Sequence, residues 1–235
     1  MPYYYGNNGG RQGFMANVPP VTRNLIIVNC IVFVGYLINR GFMTETFALF
    51  YPTSPYFRWW QVITHMFMHG GFFHILFNMY TLLIFGSVVE NIIGQKKFLI
   101  FYFVCGLGAA ALHLGVEWLQ MQSYMSSAAL GNAAALQGIA AIRYTPTVGA
   151  SGAIYGVLIG YAMIFPESRM TLLFPPVTLS AKWMVVVFAA VELLFGIGGL
   201  QQSVAHFAHL GGMLIGFLLI LMWRKRGILF DKDRV

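Results

Sequence analysis

Seven polar residues in otherwise apolar stretches carry the chemistry this chain could do: His65, His69, His74 and Asn78 in one stretch, Ser151 opening another, and His206 and His209 starting a third. Polar groups are costly among apolar residues of membrane-spanning length, so each is a candidate for function. A serine hydroxyl is a weak nucleophile until a base takes its proton, and a neutral imidazole does that near pH 7. Ser151 sits in GASG, where Gly149 and Gly152 permit close backbone approach, and Gly152, Gly156 and Gly160 recur every four residues on one helical face. Gly212 and Gly216 repeat that spacing, with His209 one turn before Gly212 on nearly the same face. Packing of those two faces would bring Ser151 to His209, which makes His209 the expected base.

Acyl transfer also needs donors aimed at the developing oxyanion. His74 and Asn78, at i and i+4, share a face, and the Ser151 amide lies at an expected helix N-terminus, where the dipole favours negative charge. The only aspartates, Asp231 and Asp233, stand near the C-terminus, so a Ser/His dyad is expected rather than a triad. Glu192, in the middle of another apolar run, has no partner legible in the sequence and is expected to be protonated or to face a water-filled gap.

The elements that must position these groups are membrane helices. Of 235 residues, 58% are hydrophobic and only 9% charged, against about a quarter charged in soluble domains. Apolar runs at 24–39, 72–93, 98–118, 151–165, 183–200 and 204–223 predict an all-α membrane protein, a bundle of six transmembrane helices, with 23–223 as the membrane domain. Residues 1–22 are expected to be a flexible cytoplasmic tail without a signal-peptide layout, and 224–235 a basic cytoplasmic tail. With both termini cytoplasmic, eleven of the fourteen Lys and Arg fall on the inner side, against Arg40, Arg58 and Arg143 outside. The formal charge of +7 is therefore read as membrane orientation, and no nucleic-acid partner is expected. Cys30 and Cys105 are read as buried hydrophobes without a disulfide framework.

In that topology the second, fourth and sixth helices all run inward, so the polar groups near their starts share the outer half of the bilayer. The connection at 40–71, rich in Phe, Tyr and Trp, is expected to lie partly in the outer leaflet, and the Ala-, Gly- and Ser-rich one at 119–150 to contain a short helix or be mobile. Rival readings are weaker. His65, His69 and His74, or His206 and His209, have spacings that could hold zinc, but HExxH is missing and no metal is expected. An aspartyl protease lacks any Asp in a span; the remaining rivals are a non-catalytic binder of transmembrane segments and a channel or transporter.

HMFMHGGFFHILFN (65–78), GASGAIYG (149–156) and AHLGGMLIG (208–216) resemble signature motifs of the rhomboid family of intramembrane proteases, and the likeness spans roughly 25–222. The resemblance implies Ser151 as nucleophile, His209 rather than His206 as base, His74 and Asn78 at the oxyanion, and Tyr155 packed on the imidazole. It also implies a structural role for Glu90, and for His65 and His69 a part in shaping the outer loop and cavity. The family's Trp-Arg pair is here Trp60-Gln61. Transmembrane protein substrates in contact with membrane lipid, no cofactor, substrate access past the fifth helix with its Gly196, Gly198 and Gly199, and a bacterial cytoplasmic membrane location complete the expectations.

Overall fold

The computed structural model describes residues 17–172, 176–198 and 203–229. Most of the 1–22 tail, Gly199, and the end of the basic tail with Asp231 and Asp233 lie outside the described residues. Helix α1 (Pro20–Ile38) opens on a proline, whose missing N–H costs nothing in a first turn, and buries Thr22, Leu25, Asn29 and Phe33 at three- and four-residue steps. Its free amides meet a distant acid: Val21 and Thr22 donate to the Glu90 carboxylate at 3.0 and 2.7 Å. Glu90, 1% exposed, thereby pins the start of α1 to the end of α4 (Phe72–Ile93). The α4 backbone loosens into a π-type turn over Leu82–Gly86.

Between these helices, α2 (Arg40–Phe47) and the short α3 (Gln61–Thr64) fold over the site end of the molecule. Trp59 and Phe42 are exposed there, whereas Leu49, Phe50 and Tyr51 are buried, a division suited to a loop resting at a membrane interface. After Gly94, whose φ of 83° suits a glycine at a helix end, α5 (Gln95–Ala129) runs for 35 residues. That is roughly 52 Å, well beyond a hydrocarbon core of about 30 Å. Much of the 119–150 connection is thus helical: α5 continues through it, and α6 (Ala133–Tyr144) packs back with Gly138 against the Tyr124 ring.

Helix α7 (Ser151–Ile164), the antiparallel strands β1 (Arg169–Thr171) and β2 (Thr178–Ser180), α8 (Ala181–Gly198) and α9 (Ser203–Lys225) follow. The small hairpin was not legible in the sequence. Helices α1, α4, α5, α8 and residues Ala205–Lys225 of α9 are long and apolar enough to cross a membrane, and α7 is a shorter apolar helix. The six expected helices are present as a bundle. Its outer face is apolar, with Ile31, Ile38, Phe73 and Leu194 exposed, as lipid contact requires.

The centre of the bundle is the trio α5, α7 and α9, joined where side chains vanish. A Cβ on Gly212 would come within 1.8 Å of the Gly152 carbonyl oxygen, and one on Gly216 within 2.8 Å of that of Gly156. Backbone thus touches backbone along both expected faces, as small residues allow. Cys105 of α5 fills the space beside Gly156. It is buried and free, whereas Cys30 is free but exposed, contrary to the burial expected for it.

Candidate active site

Ser151 is the first residue of α7, and the segment leading to it is tied down on two sides. Leu49 and Thr147 exchange backbone hydrogen bonds of 2.9 and 2.8 Å, and the Gly149 amide donates to the His65 carbonyl at 3.0 Å. Thr147 Oγ1 also pairs with His113 Nε2 at 2.7 Å. Gly149 adopts φ 136°, and a Cβ there would lie 3.0 Å from His74 Nε2. Only glycine suits both conditions.

Across the α7–α9 seam, His209 Nε2 lies 2.8 Å from Ser151 Oγ. Tyr155, one turn along α7 from Ser151, stacks on the His209 ring with centroids 4.3 Å apart and planes within 5°. The opposite ring nitrogen, Nδ1, meets the Glu192 carboxylate at 2.9 Å. A carboxylate only accepts, so Nδ1 carries the proton and Nε2 presents its lone pair to the serine hydroxyl. Tyr155 OH and His206 Nδ1 donate to the same carboxylate, which is 6% exposed.

Glu192, for which the sequence offered no partner, is thus held by three side chains, and its carboxylate stands at His209 Nδ1. The expected Ser/His pair was reached by noting the absence of aspartates in the spans; the acid beside His209 is a glutamate carried by α8. One signal was available: Gly196 lies one turn beyond Glu192, and its missing side chain lets α8 approach Phe207 and His206 at the start of α9. Glu192, His206 and His209 are also residue types that could hold a metal. Their 2.9 Å nitrogen–oxygen separation is shorter than the roughly 3.3 Å ligand spacing around tetrahedral zinc with bonds near 2.0–2.1 Å. As placed, they are hydrogen-bonded to one another.

On α4, His74 and Asn78 lie one turn apart. His74 shares with Ser151 and His209 the wall of an open cavity of about 640 Å³, lined also by Glu117, Tyr124 and Ile142 of α5 and α6. Asn78 is buried, and its Nδ2 has no hydrogen-bond partner among the described residues, which leaves it a donor not committed to another protein group there. A second cavity of about 40 Å³, lined by His65, His113 and Thr147, opens beside Ser151 and has room for water.

His65 and His69 support the wall. Burial pushes both imidazoles down to about 4, so they are neutral; His65 Nδ1 donates to the Gln61 carbonyl at 2.8 Å, and His69 packs edge-on against His74. Sequence reasoning missed what Gln61 does. Fully buried, it accepts from the amides of Phe50 and Arg58 and donates to the carbonyls of Glu45 and Tyr56. Those four bonds tie the 40–71 segment together where the resemblance would place an arginine.

A family model described as the rhomboid domain matches residues 56–226, the stretch that holds Ser151, Glu192, His209 and the histidines and asparagine around them. The chain belongs to the rhomboid family. It is 33% identical over 166 residues to the mitochondrial presenilin-associated rhomboid-like protein of Mus musculus, a match covering 68% of this chain and 38% of the relative. To the rhomboid protease AarA of Providencia stuartii it is 28% identical over 217 residues, covering 86% of this chain and 72% of that protein. The chloroplastic rhomboid-like protein 11 of Arabidopsis thaliana is 25% identical over 196 residues, covering 81% and 61%. The chain thus spans about two fifths of the length of the presenilin-associated relatives it matches. A rhomboid with these apolar helices is a multi-pass membrane protein.

Proposed function

We propose that this rhomboid is an intramembrane serine endopeptidase that cleaves transmembrane segments with Ser151 as nucleophile and His209 as general base. The observation that carries the reading is the 2.8 Å contact between His209 Nε2 and Ser151 Oγ, within reach of proton transfer. As Oγ attacks the scissile carbonyl its proton passes to Nε2; His209 then returns it to the leaving amide nitrogen, giving an acyl-serine. Water completes hydrolysis through the same base. His74, Asn78 and the Ser151 amide hold the oxyanion, a role supported by the unpartnered Asn78 Nδ2 and by His74 on the wall of the Ser151 cavity. Tyr155 keeps the imidazole in plane, and Gly149 leaves room for His74.

Depth follows from length. Fourteen residues of α7 cover about 21 Å against roughly 30 Å of hydrocarbon, so Ser151 lies below the outer surface and is reached by water through the cavities beside it. Substrates are transmembrane proteins that unwind near their outer ends, because a helical peptide bond is shielded by its own hydrogen bonds. We place the membrane domain at 23–223, both termini in the cytoplasm, and the protein in a bacterial cytoplasmic membrane, the charge asymmetry supporting the orientation.

The test is cleavage of a transmembrane reporter by purified protein and by Ser151→Ala, with and without a chelator, together with fluorophosphonate labelling. Wild-type cleavage that resists chelation, with loss of both cleavage and label in the mutant, is expected. Cleavage persisting in Ser151→Ala would refute the serine mechanism, and sensitivity to chelation would replace it with a metal one.

A further inference from the structure

Resting on the Ser151/His209 reading, we propose that Glu192 is the positioning acid of the site, completing a Ser151–His209–Glu192 relay carried on three different helices. The geometry is that of a relay along one imidazole: hydroxyl at Nε2 at 2.8 Å, carboxylate at Nδ1 at 2.9 Å. When His209 takes the proton from Ser151 the ring becomes a cation, and Glu192 remains ionised, holding Nδ1–H in place and offsetting the new charge. No proton passes to the carboxylate, and the serine proton still ends on the leaving amide nitrogen.

Two further donors keep Glu192 from swinging away. Tyr155 OH shares Oε1 with His209, and His206 Nδ1 binds Oε2, so both carboxylate oxygens are held and His206 acts one step behind. A buried acid accepting from three side chains is better explained by a charge kept for His209 than by packing, because an apolar residue would fill the α8–α9 seam without desolvation cost. Since Glu192 rides on α8, the base is correctly oriented only while α8 is seated against α9. Substrate access that displaced α8 would switch the site off until the helix returned.

The experiment measures fluorophosphonate labelling and reporter cleavage across pH for the full chain and for Glu192→Gln, Glu192→Asp, Ser151→Ala and His209→Ala, with thermal melts of each. Groups facing the His209 ring are Glu192 from α8, His206 on α9, Tyr155 from α7 and His74 from α4, with His113 and Glu117 of α5 across the cavity; all but Glu192 are constant in the comparison. Glu192→Gln should lower kcat by about 10³-fold with KM little changed. The acid limb of its rate profile should move to lower pH, because the anion that favours protonated imidazole is gone. Glu192→Asp keeps the charge but withdraws it by one methylene, so its limb should lie between the two, with a rate loss of about tenfold.

A purely structural Glu192 would lower the melting temperature without moving the limb, and that result overturns the proposal. Should Glu192→Gln not be recovered folded, the aspartate variant decides: rate and limb both equal to wild type overturn it. Ser151→Ala and His209→Ala separate the two readings. If either still cleaves, the Ser/His mechanism fails; if both are dead while Glu192→Gln matches wild type, only the relay fails.

Discussion

Helices α7 and α8 both face the start of α9, yet they are held in opposite ways. Eight of the fourteen residues of α7 are buried, and its glycines meet those of α9 backbone to backbone. Of the eighteen residues of α8 only five are buried, and Trp183, Leu194 and Ile197 project outward. Ser151 and His209 therefore ride on a seam with no slack, whereas Glu192 arrives on a helix that buries fewer of its residues, Ala181 and Val185 against α7 and α9 at one end and Gly196 against Phe207 at the other. In a bilayer, where lipid solvates apolar surface as well as protein does, backbone proximity makes a firm joint and an exposed apolar face does not.

The contrast breaks hardest at Gly212. A Gly212→Val side chain cannot coexist with the Gly152 carbonyl, so the α7–α9 seam must open. The cost should lie at or above the upper end of the about 1–3 kcal/mol typical of overpacking, with loss of Ser151 labelling, read by thermal melts and fluorophosphonate. Survival of the label at wild-type rate would mean that the seam does not position the pair.

Next in size is Asn78→Ala, which tests whether polar groups near the seam serve chemistry rather than packing. Because Nδ2 is unpartnered at rest, cleavage should fall about 10²-fold while the melting temperature stays level or rises. A drop in stability matching the drop in rate would instead make Asn78 interhelical glue.

Away from both helices, Glu90→Ala removes the carboxylate that caps α1 and should cost about 1–2 kcal/mol, with labelling of Ser151 preserved at temperatures where the protein is folded. Loss of labelling in folded protein would extend the rigid region out to α1. The smallest effect belongs to the outer face of α8: Ile197→Ala, at a position 73% exposed, should change stability by no more than about 0.5 kcal/mol in detergent melts. A larger change would show that α8 is anchored through that face and would erase the contrast with α7.

How far the sequence reached differs along the same lines. Gly152, Gly156, Gly212 and Gly216 could be read as two complementary faces because helical spacing alone says which residues share a side. His74 and Asn78 were legible for the same reason. Gln61 was not, since its four partners come from a folded loop with no periodicity, and neither was the length of α5, because alanine, serine and glycine near its end also suit a loop.

What the sequence determined by itself was the membrane class, the apolar helices, the few polar residues set within or beside them, Ser151, His209, His74 and Asn78 among them, and the glycine faces that would join two of those helices. These follow from residue type and local period, which survive whatever the rest of the chain does. Glu192 needed the tertiary structure. It stands seventeen residues from His209 on a separate helix, and only the rotation of α8 about its axis and its seating on α9 decide whether that acid points to lipid, to water or to His209. Local period cannot supply those two quantities, because they are set by packing between elements.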